Sequence, residues 1–423
     1  MARSRRPALL ASTAHRNLFA GAGVAHVGVD FTDRAPERAE LAKALRTPNG
    51  HLLLVGPRRI GKTSLLKAVA DDMRRMPKVA VLYLDLWSAS NLEDMTTRLA
   101  TEAASVLGRR FADFIKQWAS RLQFELRVAP MPSGDLIPVP TLSFRDDAAA
   151  RQRKRLVEAF DALEAQAKAH KVHLGVILDE FQEIERIGRD DADRDDVSPV
   201  RQLRAAIQHH RHVSYVFAGS DRALIDKLSA PKDGPLHNLA RRYEIGPIPN
   251  DHFAAWIDAR LEKMGITAKQ CGAAIIAVAG PRTRDVRTLA ETAADRALAS
   301  GKLAVADLDA AMRAVVQERA PQYELAWKEL VSLQQNCLRA VAAGELRLTT
   351  TAVRTQFGLG DSSRVAKALA ALVDRAILLR VGTVHSFDDP FFRAWIIDTV
   401  LRDVGLSLPI THVAQSPAGL EHS

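Results

Sequence analysis

One short segment has the residue types and the spacing of a phosphate-binding loop. The sequence GPRRIGKT occupies residues 56–63 and matches the pattern GxxxxGK[ST]. It follows an apolar run, HLLLV at residues 51–55, and a helical pattern begins at Lys62. Glycines let backbone N–H groups turn toward phosphate oxygens, and the helix presents its positive N-terminus to the same anion. A glycine turn without a ligand is the alternative, but the strand–loop–helix context strongly favours phosphate binding.

The side chains of this loop predict which phosphate groups they contact. Lys62 can reach the β- and γ-phosphates of a nucleoside triphosphate, and the Thr63 hydroxyl can bind Mg²⁺. The sequence therefore predicts ATP and Mg²⁺ as the cofactors. The predicted nucleotide contacts are Gly56, Pro57, Arg58, Arg59, Ile60, Gly61, Lys62, Thr63 and Ser64.

A second segment supplies two carboxylates. In VILDE four apolar residues lead to Asp179 and Glu180. Asp179 can bind the hydration shell of Mg²⁺, and Glu180 can orient or deprotonate the attacking water. Buried acids are costly unless a cation or water compensates them. An ordinary acidic loop after a strand would look similar, but together with residues 56–63 this segment predicts hydrolysis as well as binding.

Composition restricts the class of protein. The chain has 423 residues, of which 47% are hydrophobic and 26% are charged, so it suits two or three globular domains. No apolar run approaches the ~18 residues of a membrane helix, so we expect no membrane partner. Cys271 and Cys337 are the only cysteines, which excludes a disulfide framework and fits a reducing, cytoplasmic compartment.

The positive charge is unevenly distributed. The formal net charge is +9, and residues 1–26 contribute four arginines and no acid. We therefore predict a basic flexible arm over residues 1–27, ordered by a partner or simply solvated, with a transit peptide as a weaker alternative. A basic total favours acidic partners such as nucleic acid.

Apolar strands alternate with helices through the first part of the chain. A continuous apolar strand indicates burial on both faces, and hence a parallel sheet between helix layers. The predicted fold class is an α/β P-loop NTPase core over residues 28–248, with an inserted β-hairpin at about 122–145 and an acidic loop at 188–199. The predicted strands are residues 51–55, 79–86, 173–180 and 213–220.

The rest of the chain predicts two smaller domains and a tail. Residues 249–322 indicate a small helical lid. Residues 323–403 have the order of a winged helix-turn-helix, and residues 404–423 indicate a flexible tail. The predicted elements of the winged helix are helices 325–343, 349–358 and 362–377 and a two-stranded wing, LLRVGTVHSFDD.

Several motifs in a fixed order give a family resemblance. Over about residues 28–400 the chain resembles AAA+-related P-loop ATPases of the archaeal-type STAND clade, which are relatives of origin-recognition and transposon-regulator ATPases. The GPRRIGKT and ILDE segments are specific, and the others support one another by their order. The motifs are FTDRAPERAEL, GPRRIGKTSLL, VILDEFQEI, FAGS, AGPRTRDVRTLA and DPFFRAWI.

The resemblance implies further site residues at strand ends. Ser220 would be a polar sensor near the γ-phosphate, with a helix-capping serine as an equal alternative. Arg241 or Arg242 would be an arginine finger that acts on the nucleotide of a neighbouring subunit. Either arginine could instead form a surface ion pair. The resemblance thus implies a homo-oligomer.

The resemblance also implies two contacts outside the loop and the acidic pair. Arg284 would be a second sensor in the lid, and Arg282 and Arg287 compete for that role. Phe31 and the segment 28–34 would line the adenine pocket, with ordinary core as the alternative for Phe31.

Two features depart from the family pattern. AAA+ phosphate loops usually have glycine where Arg59 stands, which favours the STAND-like branch. The hairpin and a long helix also place the loop unusually far from ILDE, which suggests an inserted partner-binding or DNA-facing element.

The winged helix leaves two functions open. Its recognition helix would begin with Ser362, Ser363, Arg364 and Lys367. Residues 324–403, however, have ten Lys/Arg and nine Asp/Glu, which is little charge for a dedicated DNA-binding domain. We expect an oligomeric ATPase associated with double-stranded DNA through the winged helix and the basic arm. The alternative is a nucleotide-gated signalling or defence switch whose output is a protein–protein interaction.

Overall fold

The chain divides into two compact units. One unit covers Ala25–Pro247, and the other combines Met1–Val24 with Ile248–Ser423. We call them the sheet unit and the helical unit. The computed structural model describes residues 17–19, 21, 34–76, 79–107, 125–130, 136–141, 149–187, 198–232, 234–406 and 408–411. The predictions for Phe31, for residues 188–197 of the acidic loop and for most of the arm and the tail lie outside these residues.

The sheet unit alternates strands and helices. Its strands are β1 Leu52–Val55, β2 Val79–Asp85, β3 Glu125–Pro130, β4 Leu136–Thr141, β5 His173–Asp179, β6 Val213–Gly219 and β7 Arg241–Glu244. Its described helices are α1 Ala35–Ala44, α2 Lys62–Arg74, α3 Leu92–Leu107, α4 Ala149–Ala169, α5 Glu183–Ile187, α6 Pro199–Ile207 and α7 Arg222–Ser229.

Five strands form a parallel sheet in the order β2-β5-β6-β1-β7. Every residue of β1 and β6 is buried, because helices cover both faces of the sheet. One apolar core contains Leu65 and Val69 of α2, and the other contains Leu99 of α3 and Phe160 of α4. The predicted α/β core is confirmed.

The fifth strand, β7, was not predicted. Its sequence RRYE has no apolar run, and none of its side chains is fully buried. Among the described strands it pairs only with β1, and the pairing continues past its end, where the Ile245 N–H donates to the Val55 carbonyl at 2.8 Å. Edge strands accept charged side chains because one side of the strand stays open to solvent. Backbone pairing rather than side-chain burial therefore defines β7.

The segment predicted as an inserted hairpin contains an antiparallel pair. β3 pairs with β4 from Glu125 opposite Thr141 to Pro130 opposite Leu136. This pair forms a sheet of its own and is separate from the five-stranded sheet.

The helical unit is mostly α-helical around one apolar core. Its described α-helices are α8 Asn250–Lys263, α9 Cys271–Ala279, α10 Thr283–Ala297, α11 Leu308–Lys328, α12 Ser332–Ala342, α13 Thr351–Phe357, α14 Ser362–Asp374 and α15 Pro390–Trp395. Its described strands are β8 Thr267–Ala268, β9 Lys302–Leu303, β10 Leu378–Val381 and β11 Val384–Phe387. These short strands pair as β8 with β9 and as β10 with β11. None of the described helices in either unit is long and apolar enough to cross a membrane.

The predicted division between residues 322 and 323 falls inside α11. This helix continues through Pro321, so the loss of one backbone hydrogen bond at the proline does not end it. The helix predicted for residues 325–343 is in fact two helices, since α11 ends at Lys328 and α12 begins at Ser332. The helices of the predicted lid and of the winged helix share one core.

Part of the predicted arm is anchored in the helical unit. Phe19 is completely buried, and its ring lies edge-on to that of Trp256 at 5.8 Å. The Arg287 guanidinium donates to the Phe19 carbonyl at 3.2 Å, and the Asn17 amide donates to the Glu291 carbonyl at 3.0 Å. The prediction of a flexible arm is therefore wrong for residues 17–19, because an apolar side chain finds a core there.

A buried histidine lies at the amino-terminal edge of the sheet. His51 precedes β1, and its Nδ1 accepts a hydrogen bond from the Tyr215 N–H at 3.2 Å, so this nitrogen carries no proton. Burial, followed by the neighbouring His210 and His173, lowers the pKa of His51 from 6.5 to about 4. Folding therefore disfavours the protonated imidazole.

This histidine predicts acid sensitivity of the sheet unit. Between about pH 6.5 and pH 4 the unfolded chain binds a proton that folded His51 does not, so stability falls as pH falls, by up to about 3 kcal/mol. H51N keeps an acceptor for the Tyr215 N–H and should lose less stability in acid. Urea unfolding at about pH 7 and pH 4.5 measures this. The control is H209N at an exposed histidine; equal acid loss in H51N and the parent would contradict the prediction.

Candidate active site

The register of three neighbouring strands brings the predicted site residues together. Val55 of β1 lies opposite Gly219 of β6, so the loop that follows β1 begins level with Ser220. Leu178 of β5 lies opposite Phe217 of β6, so Glu180 is level with Gly219. The carboxyl ends of parallel strands meet at one edge of a sheet, where ligands of such folds bind.

The phosphate loop has a backbone conformation that favours glycine. Gly61 has φ +94°, and a Cβ there would meet nothing within 4 Å, so the space beside its backbone is open. A Cβ on Gly56 would lie 2.8 Å from the Ile245 carbonyl, so only glycine fits under the segment after β7. Arg59, where related loops have glycine, has φ +67° and thus occupies a left-handed conformation.

The lysine of the loop lies over its own backbone. Lys62 is buried, and its ammonium donates to the carbonyls of Gly56 and Pro57, both at 2.8 Å. Lys62 also begins α2, a helix of 13 residues whose first N–H groups have no partner within the helix. The positive charge of Lys62 and the N-terminal backbone donors of α2 therefore converge on the loop.

Asp179 lies under two hydroxyl groups. It is 1% exposed, and its Oδ2 accepts from the Thr63 hydroxyl at 2.7 Å and from the Tyr83 hydroxyl at 2.9 Å. Burial raises the pKa of Asp179, and these two hydrogen bonds oppose the rise. Burial and then the charge of Asp179 raise the pKa of Tyr83 well above its usual value, so the phenol remains a donor.

Glu180 is held in an uncommon backbone conformation. Its φ is +50°, a left-handed value that costs energy for a residue other than glycine and is frequent at functional sites. Its Oε2 accepts from the Ser220 hydroxyl at 2.7 Å and from the side-chain amide of Gln182. The helix cap next to Ser220 is Asp221, which accepts from the Leu224 N–H. The capping interpretation of Ser220 is therefore wrong.

These residues fit a nucleotide with Mg²⁺. The open space at Gly61, the N-terminus of α2 and Lys62 suit phosphate. Among the described residues there is no cluster of three or more His, Cys, Asp or Glu side chains that could hold a metal by itself. Mg²⁺ is usually held by one or two protein ligands together with substrate phosphates, for which Thr63 and Asp179 are suitably placed.

The two candidate finger arginines lie at the other end of the sheet. Arg241 and Arg242 begin β7 and pair with Leu52 and Leu53 at the start of β1. Arg241 forms an ion pair with Glu40, whereas Arg242 Nη1 lies 2.6 Å from Asp226 Oδ1 and Arg242 Nη2 lies 2.8 Å from Glu244 Oε1. Ion pairing with this chain's own acids is thus present at both arginines.

The three arginines considered for the second sensor differ in exposure. Arg282 is buried and forms an ion pair with Asp388. Arg287 is buried, donates to Phe19 and lies over the Trp256 ring at 5.5 Å. Arg284, in the first turn of α10, is exposed. Arg282 and Arg287 therefore hold the helical unit together, which leaves Arg284 as the candidate.

Sequence reasoning missed Tyr83 and Gln182, and it included Arg34 only as the last residue of the segment 28–34. Arg34 is buried and donates to the carbonyls of Ile60 at 3.3 Å and Gly246 at 2.8 Å. Tyr83 and Gln182 donate to the two acids. The available signals were a tyrosine within the apolar strand VAVLYLDL and a glutamine two residues after Glu180. Neither signal identifies its partner without the fold.

Comparisons with known proteins agree with this geometry. Residues 30–217 match the family described as "AAA ATPase domain", and residues 321–398 match "Probable winged helix domain". The Walker-type ATPase of Pyrococcus abyssi is similar in structure, with 16% identity, a TM-score of 0.57 and coverage of 87% of this chain and 96% of that chain. The ORC2 protein of Aeropyrum pernix, in its ADPNP–ADP complexes, has 14% identity, a TM-score of 0.49 and coverage of 90% and 98%. No protein of curated function matches the sequence.

The fold, the loop and the acidic pair define a P-loop ATPase. With the family matches, the chain is an ATP-hydrolysing enzyme of the AAA+ type that has an AAA ATPase domain and a winged helix domain.

The loop lysine provides a direct prediction about binding. K62A should reduce ATP affinity at least about tenfold, because a charge-assisted contact to phosphate is lost. Fluorescence titration with a labelled ATP analogue measures this. K43A, at an exposed lysine of α1, is the matched control. A K62A protein that binds and hydrolyses ATP like the parent would show that the site is assigned wrongly.

Proposed function

We propose that the protein is an Mg²⁺-dependent ATPase that assembles into oligomers, completes hydrolysis between subunits and associates with double-stranded DNA. The observation that carries the proposal is the location of Arg241 and Arg242 at the amino-terminal end of β7, away from the loop of their own chain. A STAND-like branch of the AAA+ class fits Arg59 in the loop. A reducing, cytoplasmic setting fits the buried free thiols of Cys271 and Cys337.

The site residues have distinct chemical roles in this proposal. Bound Mg²⁺–ATP supplies the scissile phosphoryl group and a cation that neutralises its charge. Lys62 and the first N–H groups of α2 hold phosphate oxygens, and Thr63 and Asp179 hold the cation. Glu180 takes or orients the proton of the attacking water. Ser220 and the exposed Arg284 are the candidate sensors.

Distance argues against an arginine finger that acts in cis. Arg242 pairs with Leu53, three residues before Gly56, which corresponds to about 10 Å along a parallel strand. Arg241 pairs with Leu52 and is one residue farther away. The guanidinium groups also point to acids on their own chain, Glu40 and Asp226. A second subunit is the simplest source of the missing positive charge, and exchange of these ion pairs at an interface would release the arginines.

Mixing two inactive variants tests the shared site. K62A and the double variant R241A/R242A should each lose activity, the second by as much as ~10³-fold if a finger is removed. Their mixture should regain part of the activity, because some interfaces pair an intact loop with an intact finger. ATP turnover of the separate and mixed proteins measures this, and light scattering with ATP monitors assembly.

The control exchanges other exposed charges. R74A and R98A change arginines of α2 and α3 that lie in comparable exposed ion pairs. They should leave turnover within about twofold. Normal hydrolysis by R241A/R242A, or full activity in a protein that stays monomeric with ATP, would show that hydrolysis is completed within one chain.

The winged helix is the candidate DNA contact. Arg364 and Lys367 of α14 are exposed, and Arg380 is exposed on the wing. Asp361 caps α14. The hydrogen bond from the Ser363 hydroxyl lowers the pKa of Asp361 most, and those from the N–H groups of Arg364 and Ser363 lower it further. Of the predicted contacts, Ser363 is engaged by this cap, so the phosphate contacts rest on the basic side chains. The arginines of the arm are a second source of charge.

Salt dependence tests the DNA contact. R364A/K367A should weaken binding to a labelled duplex and reduce the slope of log K against log[salt] by about 2. Each phosphate contact releases about one counterion on binding, and the variant makes two contacts fewer. R296A/K302A, at exposed basic residues of the same unit, is the control. An unchanged slope would remove the winged helix from the DNA contact, and no duplex binding at all would remove DNA from the proposal.

One observation favours a protein partner as the second candidate. Leu325 and Val331 are each 63% exposed, on either side of the turn between α11 and α12. Apolar side chains that are exposed together on a surface can form the apolar centre of a contact with another protein. A nucleotide-gated switch that signals through such a contact is the function that remains if the DNA experiment fails.

A further inference from the structure

Two side-chain donors share one of the two oxygens of the Glu180 carboxylate. Its Oε2 accepts two hydrogen bonds, one from the Ser220 hydroxyl at 2.7 Å and one from the side-chain amide of Gln182. A carboxylate with one oxygen fixed by two donors has a defined orientation, and its other oxygen remains the better acceptor. In Glu180 that acceptor is Oε1.

The position of Gln182 is built into the fold. Gln182 is 2% exposed, and the Phe181 N–H next to it donates to the Ala218 carbonyl at 2.7 Å, which ties the segment to β6. A methyl group at Gly219 would lie 2.7 Å from Gln182 Oε1. Glycine at the end of β6 therefore leaves the room that the glutamine side chain occupies.

Burial of the Gln182 side-chain amide has an energetic cost that its hydrogen bonds must offset. Burying an unpaired amide costs about 1–3 kcal/mol in proteins, and an apolar residue of similar volume would avoid that cost. Among the described residues, Gln182 Oε1 has no hydrogen-bond partner, so the fold uses mainly the NH₂ end of this side chain. That end contacts Glu180.

The two donors on Glu180 are not equivalent. A serine hydroxyl has a single proton to donate, so Ser220 must release Glu180 whenever it donates to another acceptor. Gln182 is buried beside Gly219, and the side-chain acceptor that its amide contacts among the described residues is Glu180. It is the donor that can hold Glu180 throughout a catalytic cycle.

We propose that Gln182 is a positioning residue that fixes the carboxylate of Glu180, so that Glu180 Oε1 faces the water it activates. The proposal rests on the role of Glu180 in the proposed function. It assigns no contact between Gln182 and the nucleotide.

A double-mutant cycle tests this assignment. The variants are Q182M, which keeps the volume but removes the donor, E180Q, and E180Q/Q182M. Q182M should lower kcat about tenfold to a hundredfold, the effect of one hydrogen bond to a charged group, with little change in affinity for a labelled ATP analogue. In the E180Q background, Q182M should change kcat by less than about twofold, because the group it positions is already lost.

A second readout needs no hydrolysis. In urea unfolding of the free protein, the destabilisation by Q182M and by E180Q should be non-additive, since E180Q removes the charge that strengthens the hydrogen bond whose donor Q182M removes. Q208A, at an exposed glutamine of the same unit, is the control and should match the parent in both measurements. Retained binding of the ATP analogue shows that Q182M is folded.

The outcomes separate the inference from the function on which it rests. If E180Q hydrolyses ATP like the parent, the assignment of Glu180 fails, and that of Gln182 fails with it. If E180Q is slow but Q182M keeps the parent kcat, Gln182 is only a core residue. If Q182M lowers kcat by the same factor with and without Glu180, it acts by a route other than Glu180. Each of the last two results overturns the inference alone.

Discussion

The chemistry of this protein depends on three parallel strands that end at the same height. The pairing of β1 with β6 and of β6 with β5 places Gly56, Ser220 and Glu180 at one edge of the sheet. The hydrogen bond from Thr63 to Asp179 then joins the start of α2 to the end of β5 across that edge. A shift of one residue in either pairing would separate the phosphate-binding groups from the acids, so core packing and the site share one constraint.

Much of this edge is predictable because its signals are local. The glycine spacing in the loop predicts its backbone conformation, and Gly61 has the left-handed φ that the pattern requires. The continuous apolar runs before Gly56 and Asp179 report burial on both faces of a sheet. Two acids directly after such a run indicate a site, because burial of charge has to be compensated.

The remainder depends on pairing in space, for which one sequence has no local signal. β7 is a strand because β1 lies beside it, and three of its own four residues are charged. Ser220 does not cap the following helix because Asp221 takes the cap, and the Ser220 hydroxyl donates to Glu180. Phe19 is core because Trp256, more than two hundred residues later, offers a partner. Composition assigned the same phenylalanine to a solvated arm, since arginines dominate that part of the sequence.

The course of the chain gives one arginine a wider structural role. Residues before Ala25 and after Pro247 belong to the helical unit, so the sheet unit is an insertion reached by two crossings of the chain. Arg34 follows the first crossing, and Gly246 precedes the second. The buried guanidinium of Arg34 donates to the carbonyls of Gly246 and Ile60. One side chain therefore ties the start of α1 and the segment after β7 to the phosphate loop within the sheet unit.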